Sequence, residues 1–161
     1  IAHYSALQAG LALLPITLLM FTLSRFFGGL AGKYGPRFFM AAGPLLMAGG
    51  FSLLLGLDNT VAYLWEVLPG TIIFGLGLTI TVAPLTAAIL GAIEVEHSGI
   101  ASAINNAVSR IAGLIAIALL GIMVGAQLDI HGYQAGMLFS VCLLATGGVV
   151  SAIGIQNKPK A

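Results

Sequence analysis

HSGIASAINNAVSRIAGLIAIALLGIMVGAQ, residues 97–127, is the stretch on which the reading of this chain turns. Beyond Gly113 it is almost wholly apolar. Before that point it is not. Residues three and four apart share one face of a helix. At that spacing Ser98, Ser102, Asn105, Asn106, Ser109, Arg110 and Gly113 form one stripe, and Ile100, Ile104, Ala107, Val108 and Ile111 fill the opposite face. An arginine within a long apolar segment needs a physical reason, and the rest of the chain supplies its context.

Composition sets the class. Of 161 residues, 59% are hydrophobic and 7% charged, where a soluble domain carries about 25% charged residues. Mean hydropathy is +1.08. The 22 glycines follow no Gly-X-Y period, so together with long apolar runs they point to close helix packing in lipid. The expected fold is all-α, a polytopic membrane helix bundle with membrane lipid around it. A net charge of +1, without an extended basic patch, excludes a nucleic-acid partner. Cys142 has no second cysteine to pair with and reads as a small hydrophobe.

A span takes about 20 mainly apolar residues, and five stretches qualify: roughly 6–30, 38–57, 64–92, 98–126 and 135–155. The first is too long for a secretory signal, and its charges follow it rather than precede it. With five spans, Lys33, Arg37, Lys158 and Lys160 fall on one side, with Arg25 near it. Asp58, Glu66 and Asp129 fall on the other, with no Lys or Arg. The positive-inside rule makes the first side, and the C-terminus, cytoplasmic, in the cell membrane. Tyr4, Tyr63, Trp65 and Tyr133 then lie at the outer interface as an aromatic belt. The start at Ile1, outside and just before a span, leads us to expect a preceding helix and a longer protein, unless a short uncharged tail crosses on its own.

The breakers give local expectations. In the 31–37 loop, Gly28-x-x-x-Gly32 permits close backbone approach, and Gly35-Pro36 ends the turn. Lys33 and Arg37 would sit at anionic headgroups. A plain basic hairpin and a gating element both satisfy this pattern. Pro15 and Pro84 are helix-bend candidates. Pro84 strands the carbonyl of Ile80, with Thr79, Thr81 and Thr86 near enough to help satisfy the freed groups. Glu94 and Glu96 precede the fourth span, where they complement the positive end of its dipole or pair with Lys33 or Arg37. His3, His97 and His131 show no metal spacing. There is no H-E-x-x-H, cysteine cluster, G-x-S-x-G or P-loop, and no Asp or Glu lies inside a span. Nothing calls for a cofactor, a metal or enzymatic chemistry.

Four segments in order carry a resemblance: YSALQAGLALLP, GGLAGKYGPR, GLGLTITVAPL and HSGIASAINNAVSRIAGLIAIALLG. They resemble the last five helices of a major facilitator superfamily transporter, nearest the QacA/EmrB-like fourteen-span drug:proton antiporters. The run from Gly99 to Arg110 is the most specific part. The family's loop signature G-x-L-A-D-[RK]-x-G-[RK]-[RK] matches at Gly28, Leu30, Ala31, Lys33, Gly35 and Arg37. Gly32 stands at its aspartate position and Pro36 replaces a basic residue, so the family's acidic charge relay is in doubt here. The resemblance implies most of the C-terminal half of such a fold. It also implies an N-terminal half as partner, with the proton-coupling carboxylates there.

The expected function is therefore part of a proton-coupled exporter of drugs or small hydrophobic or cationic metabolites. Asn105, Asn106, Ser109 and Arg110 are the candidates for lining its substrate cavity. An importer or symporter of the same superfamily is one rival. A helical scaffold subunit, using pairs such as Gly121-x-x-x-Gly125 as contact surfaces, is the other. Arg110 fits either a site residue or a structural one.

Overall fold

A computed structural model describes residues 6–57, 63–92, 95–125 and 130–155. Among them every regular element is helical and none is a strand. The expectations placed on Ile1, His3, Tyr4, Asp58, Glu94, Gln127, Asp129, Lys158 and Lys160 lie outside the described residues. The helices are α1 (Ala6–Ala12), α2 (Leu14–Tyr34), α3 (Pro36–Leu54), α4 (Leu68–Ala92), α5 (Ser98–Val124) and α6 (Ile130–Gly154). A π-helical turn, Tyr63–Val67, leads into α4, and a 3-10 turn, Val95–His97, into α5. Five stretches are long and apolar enough to cross a membrane: Gly10–Tyr34, Pro36–Leu54, Tyr63–Thr86, Ser98–Val124 and Ile130–Gly154. The all-α, five-span architecture expected from the apolar runs is the one observed.

The connection between α2 and α3 is tighter than the expected 31–37 loop. Only Gly35 is non-helical, with φ 90° and ψ 153°, and its N–H donates to the carbonyl of Ala31 at 2.9 Å. A glycine accepts that backbone readily. Pro36 opens α3, where its missing N–H costs nothing. The rings of Phe27 and Phe39 meet edge to face across the turn, with centroids 6.3 Å apart.

Packing order differs from chain order. α4 lies between α2 and α3, α3 packs on α6, and α6 on α5, while consecutive α2 and α3 scarcely touch. The α3–α4 seam is built on two reciprocal glycine pairs, each helix contributing residues seven apart. A Cβ on Gly43 would stand 2.8 Å from the carbonyl oxygen of Gly77, and one on Gly77 2.6 Å from that of Gly43. The pair Gly50 and Gly70 repeats this at 2.7 and 3.0 Å. The backbones therefore touch directly, the contact that small residues allow in lipid, where no hydrophobic force drives helices together.

Two hydrogen bonds then tie α3 to α6 at opposite ends. Arg37 Nε donates to the carbonyl of Ala152 at 2.8 Å, and Tyr133 Oη to that of Leu54 at 2.9 Å. Each donor comes from the first turn or so of one helix and reaches the last turn of its antiparallel neighbour, where carbonyls lack intrahelical partners. Large apolar side chains mostly point outward, Phe21 at 86% exposure among them. A soluble core would reverse that pattern.

Candidate functional site

α5 is the helix on which the sequence places its candidate residues. It starts at Ser98 and stops at Gly125, whose φ of 76° and N–H bond to Gly121 (3.2 Å) terminate the helix. Gly125 thus serves as a helix stop. Neither Gly121 nor Gly125 meets a neighbour within 4 Å of an added Cβ, so this pair makes no contact surface within the described residues.

Ala101 is the one buried residue of α5. Asn105, one turn on, is half-buried beside it, whereas Ser102, Asn106, Ser109 and Arg110 are exposed. Ala101 and Arg110 are nine positions apart, which at about 100° per residue puts them on opposite sides of the helix. The stripe thus runs from the seam with the bundle to the side facing furthest from it. Among the described residues the side chains of Asn105, Asn106, Ser109 and Arg110 make no hydrogen bond or ion pair. Arg110 stands near the middle of α5, roughly 18 Å along the axis from Ser98 at 1.5 Å per residue. The apolar face is just as open, with Val108 at 60% and Ile111 at 59% exposure. One face suits lipid. The other presents amides, a hydroxyl and a guanidinium at the same depth.

The loop residues divide by role. Gly28 faces Ala83 of α4 at ordinary contact distance, 3.8 Å from an added Cβ, and Gly32 meets nothing within 4 Å. Close approach occurs instead at the α3–α4 glycines and, at 3.1 and 3.0 Å from facing backbone atoms, at Gly75 against α2 and Gly148 against α3. Lys33 Nζ lies 5.5 Å from the centroid of the Tyr34 ring. Arg37 is fastened to α6, as described above.

The two bend candidates differ. Pro15 stands just inside α2, beyond a turn at Leu13 that separates α1 from α2. Pro84 is fully buried, and α4 continues through it. The hydroxyls of Thr79, Thr81 and Thr86 do not reach Ile80. They donate to the carbonyls of Gly75, Gly77 and Val82, each four residues back, at 2.7, 2.8 and 3.2 Å. Reading the sequence missed Pro44, buried inside α3, and the hydroxyls of Tyr63 and Tyr133. It missed the glycine pairs too, although their matched spacing of seven was visible. No group of His, Cys, Asp and Glu among the described residues could hold a metal ion.

A bundle of five membrane-crossing helices, apolar outside and glycine-paired within, defines an integral membrane protein. No protein-family profile matches the chain. Individual relatives do. It is 30% identical over 126 residues to the multidrug resistance protein Stp of Mycobacterium tuberculosis, covering 78% of this chain and 23% of Stp. It is 26% identical over 153 residues to the methylenomycin A resistance protein of Streptomyces coelicolor, covering 95% of this chain and 32% of that one. It is 38% identical over 103 residues to a triacylglyceride transporter of Mycolicibacterium smegmatis, covering 58% and 18%. The chain spans about a fifth to a third of the length of these curated relatives. The resemblance read from the sequence is borne out: the chain is related to multidrug transporters of the major facilitator type.

Proposed function

We propose that this chain forms part of a secondary transporter that exports drugs or small hydrophobic or cationic metabolites against proton entry. The observation that carries this reading is the open polar stripe of α5. A charged side chain facing lipid at mid-helix costs about 2.5–3.5 kcal/mol on insertion scales. Arg110 is exposed there and has no partner among the described residues. A wet passage, or a carboxylate from an N-terminal half of the transporter, removes that cost. Asn105, Asn106 and Ser109 then offer neutral hydrogen bonds to a small-molecule substrate, and Arg110 a fixed charge. The relatives named for multidrug and methylenomycin A resistance support the substrate class. On this reading the basic end of the bundle, with Lys33 and Arg37, faces the cytoplasm of a cell membrane.

A neutral lipid is the second cargo considered, favoured by the 38% identity to a protein named a triacylglyceride transporter. The test is efflux from cells making the full-length protein, with abundance in the membrane measured alongside. Arg110→Ala is expected to cut drug efflux at least tenfold at unchanged abundance. Loss of the protein from the membrane would instead make Arg110 structural, and unchanged efflux would remove it from the passage.

A further inference from the structure

At the end of the bundle away from Lys33 and Arg37, the first span is not one helix. It breaks at Leu13, and the break leaves two carbonyls without a backbone donor among the described residues. Pro15 has no N–H to offer Leu11. The N–H of Ile16 bonds to Leu13 at 3.1 Å and so is lost to Ala12. The orphaned carbonyl of Ala12 accepts instead from Tyr63 Oη at 3.1 Å, across 51 residues of chain. Tyr63 is placed there by a π-helical turn, Tyr63–Val67. Local π geometry often accompanies a functional demand. Beside this bond lies an open cleft of about 280 Å³, lined among the described residues by Gln8, Leu11, Ala12 and Tyr63. Among the described residues α1 has little packing apart from its continuation into α2.

We propose that α1 is a hinged wall of this open cleft, pivoting at Leu13–Pro15 and latched by the Tyr63–Ala12 hydrogen bond. When the latch is made, Tyr63 and Ala12 hold one wall of the open cleft in place. When it breaks, α1 pivots at the turn around Leu13, where helical bonding is interrupted, and the cleft widens. The device rests on backbone hydrogen-bond accounting and stands whether or not the protein exports drugs.

The test uses the full-length protein in nanodiscs, with Cys142→Ala as background and Ala12→Cys as the probe for a water-soluble maleimide. Losing a hydrogen bond of typical net worth shifts an equilibrium about fivefold. Tyr63→Phe is therefore expected to speed labelling at position 12 about fivefold. Pro15→Ala returns an N–H to Leu11 and makes the helix continuous, so in that background Tyr63→Phe should have no effect. Phe38→Cys, at the other end of the bundle and 70% exposed, should label at one rate throughout, which reports an intact fold. An unchanged rate at position 12 in Tyr63→Phe overturns the latch. An equal rise with Pro15→Ala overturns the hinge.

Discussion

At the scale of single residues, glycine carries this fold, and different glycines do so for different reasons. Gly35 supplies a backbone conformation, φ 90°, which allows two helices to join through one residue. Non-glycine residues held in such regions cost about 1–3 kcal/mol. Gly35→Ala should lower the thermal midpoint of the purified full-length protein, and deleting the glycine's partner in the turn, by Pro36→Ala, should cost less. Gly77 and Gly50 supply contact instead. A side chain on either meets backbone atoms of the facing helix within 2.7 Å, and backbone cannot step aside as a flexible side chain can. Overpacking a tight site typically costs 1–3 kcal/mol, on the order of one methylene or more too many. Gly77→Val should therefore destabilise strongly, while Gly32→Val, where nothing lies within 4 Å, should be nearly neutral by the same measurement. The sequence pointed to Gly28, Gly32, Gly121 and Gly125 because glycines four apart share a face. In a chain with 22 glycines many such pairs exist. Which of them meet a neighbour depends on which helices are adjacent, and that is not local information.

At the scale of elements, the helices were legible and their fastenings were not. A run of some twenty apolar residues bounded by turn signals has few other ways to satisfy its backbone in lipid. That is why five spans could be read from hydropathy alone. Hydrogen bonds between ends of helices 79 and 115 residues apart in sequence have no such signature. The α3–α6 pair shows the consequence. Arg37 had a place in the loop motif and a general basic role at the headgroups. Its guanidinium in fact holds the last turn of α6, where a cation also complements the helix dipole. Tyr133 looked like an interface aromatic, and its hydroxyl holds the last turn of α3. A hydrogen bond of this kind contributes about 1 kcal/mol net, rather more with a charged donor. Arg37→Ala and Tyr133→Phe should each lower the thermal midpoint. Because the two bonds lie at opposite ends of the helices, they should act independently. The double variant is expected to lose the sum of the two, and a marked departure from additivity would mean that the ends are coupled through the α3–α6 seam.

At the scale of the whole molecule, α5 meets the bundle only along α6 and, lightly, α4, which leaves its polar and apolar faces largely open. The polar stripe itself was plain in the sequence, because its spacing is local to one helix. Its division was not. Asn105 sits beside the seam and Arg110 on the far side, a distinction set by where α4 and α6 lie. Two open faces of opposite character cannot both face lipid at the same depth without a cost of several kcal/mol for the arginine. They must have different surroundings in the membrane, and this is measurable without knowing any substrate. With Cys142→Ala as background, single cysteines at Asn106 and Ser109 are expected to react with a water-soluble maleimide in the full-length protein. Cysteines at Val108 and Ile111, on the apolar face at the same depth, should be nearly inert, since a thiol in hydrocarbon ionises poorly and an aqueous reagent does not reach it. Equal reactivity of the two faces would place both in water or in protein and remove the basis for a passage along α5. Inert cysteines on both faces would put the stripe against packed protein. Arg110 would then be a fastening between helices, as Arg37 is at the end of α3.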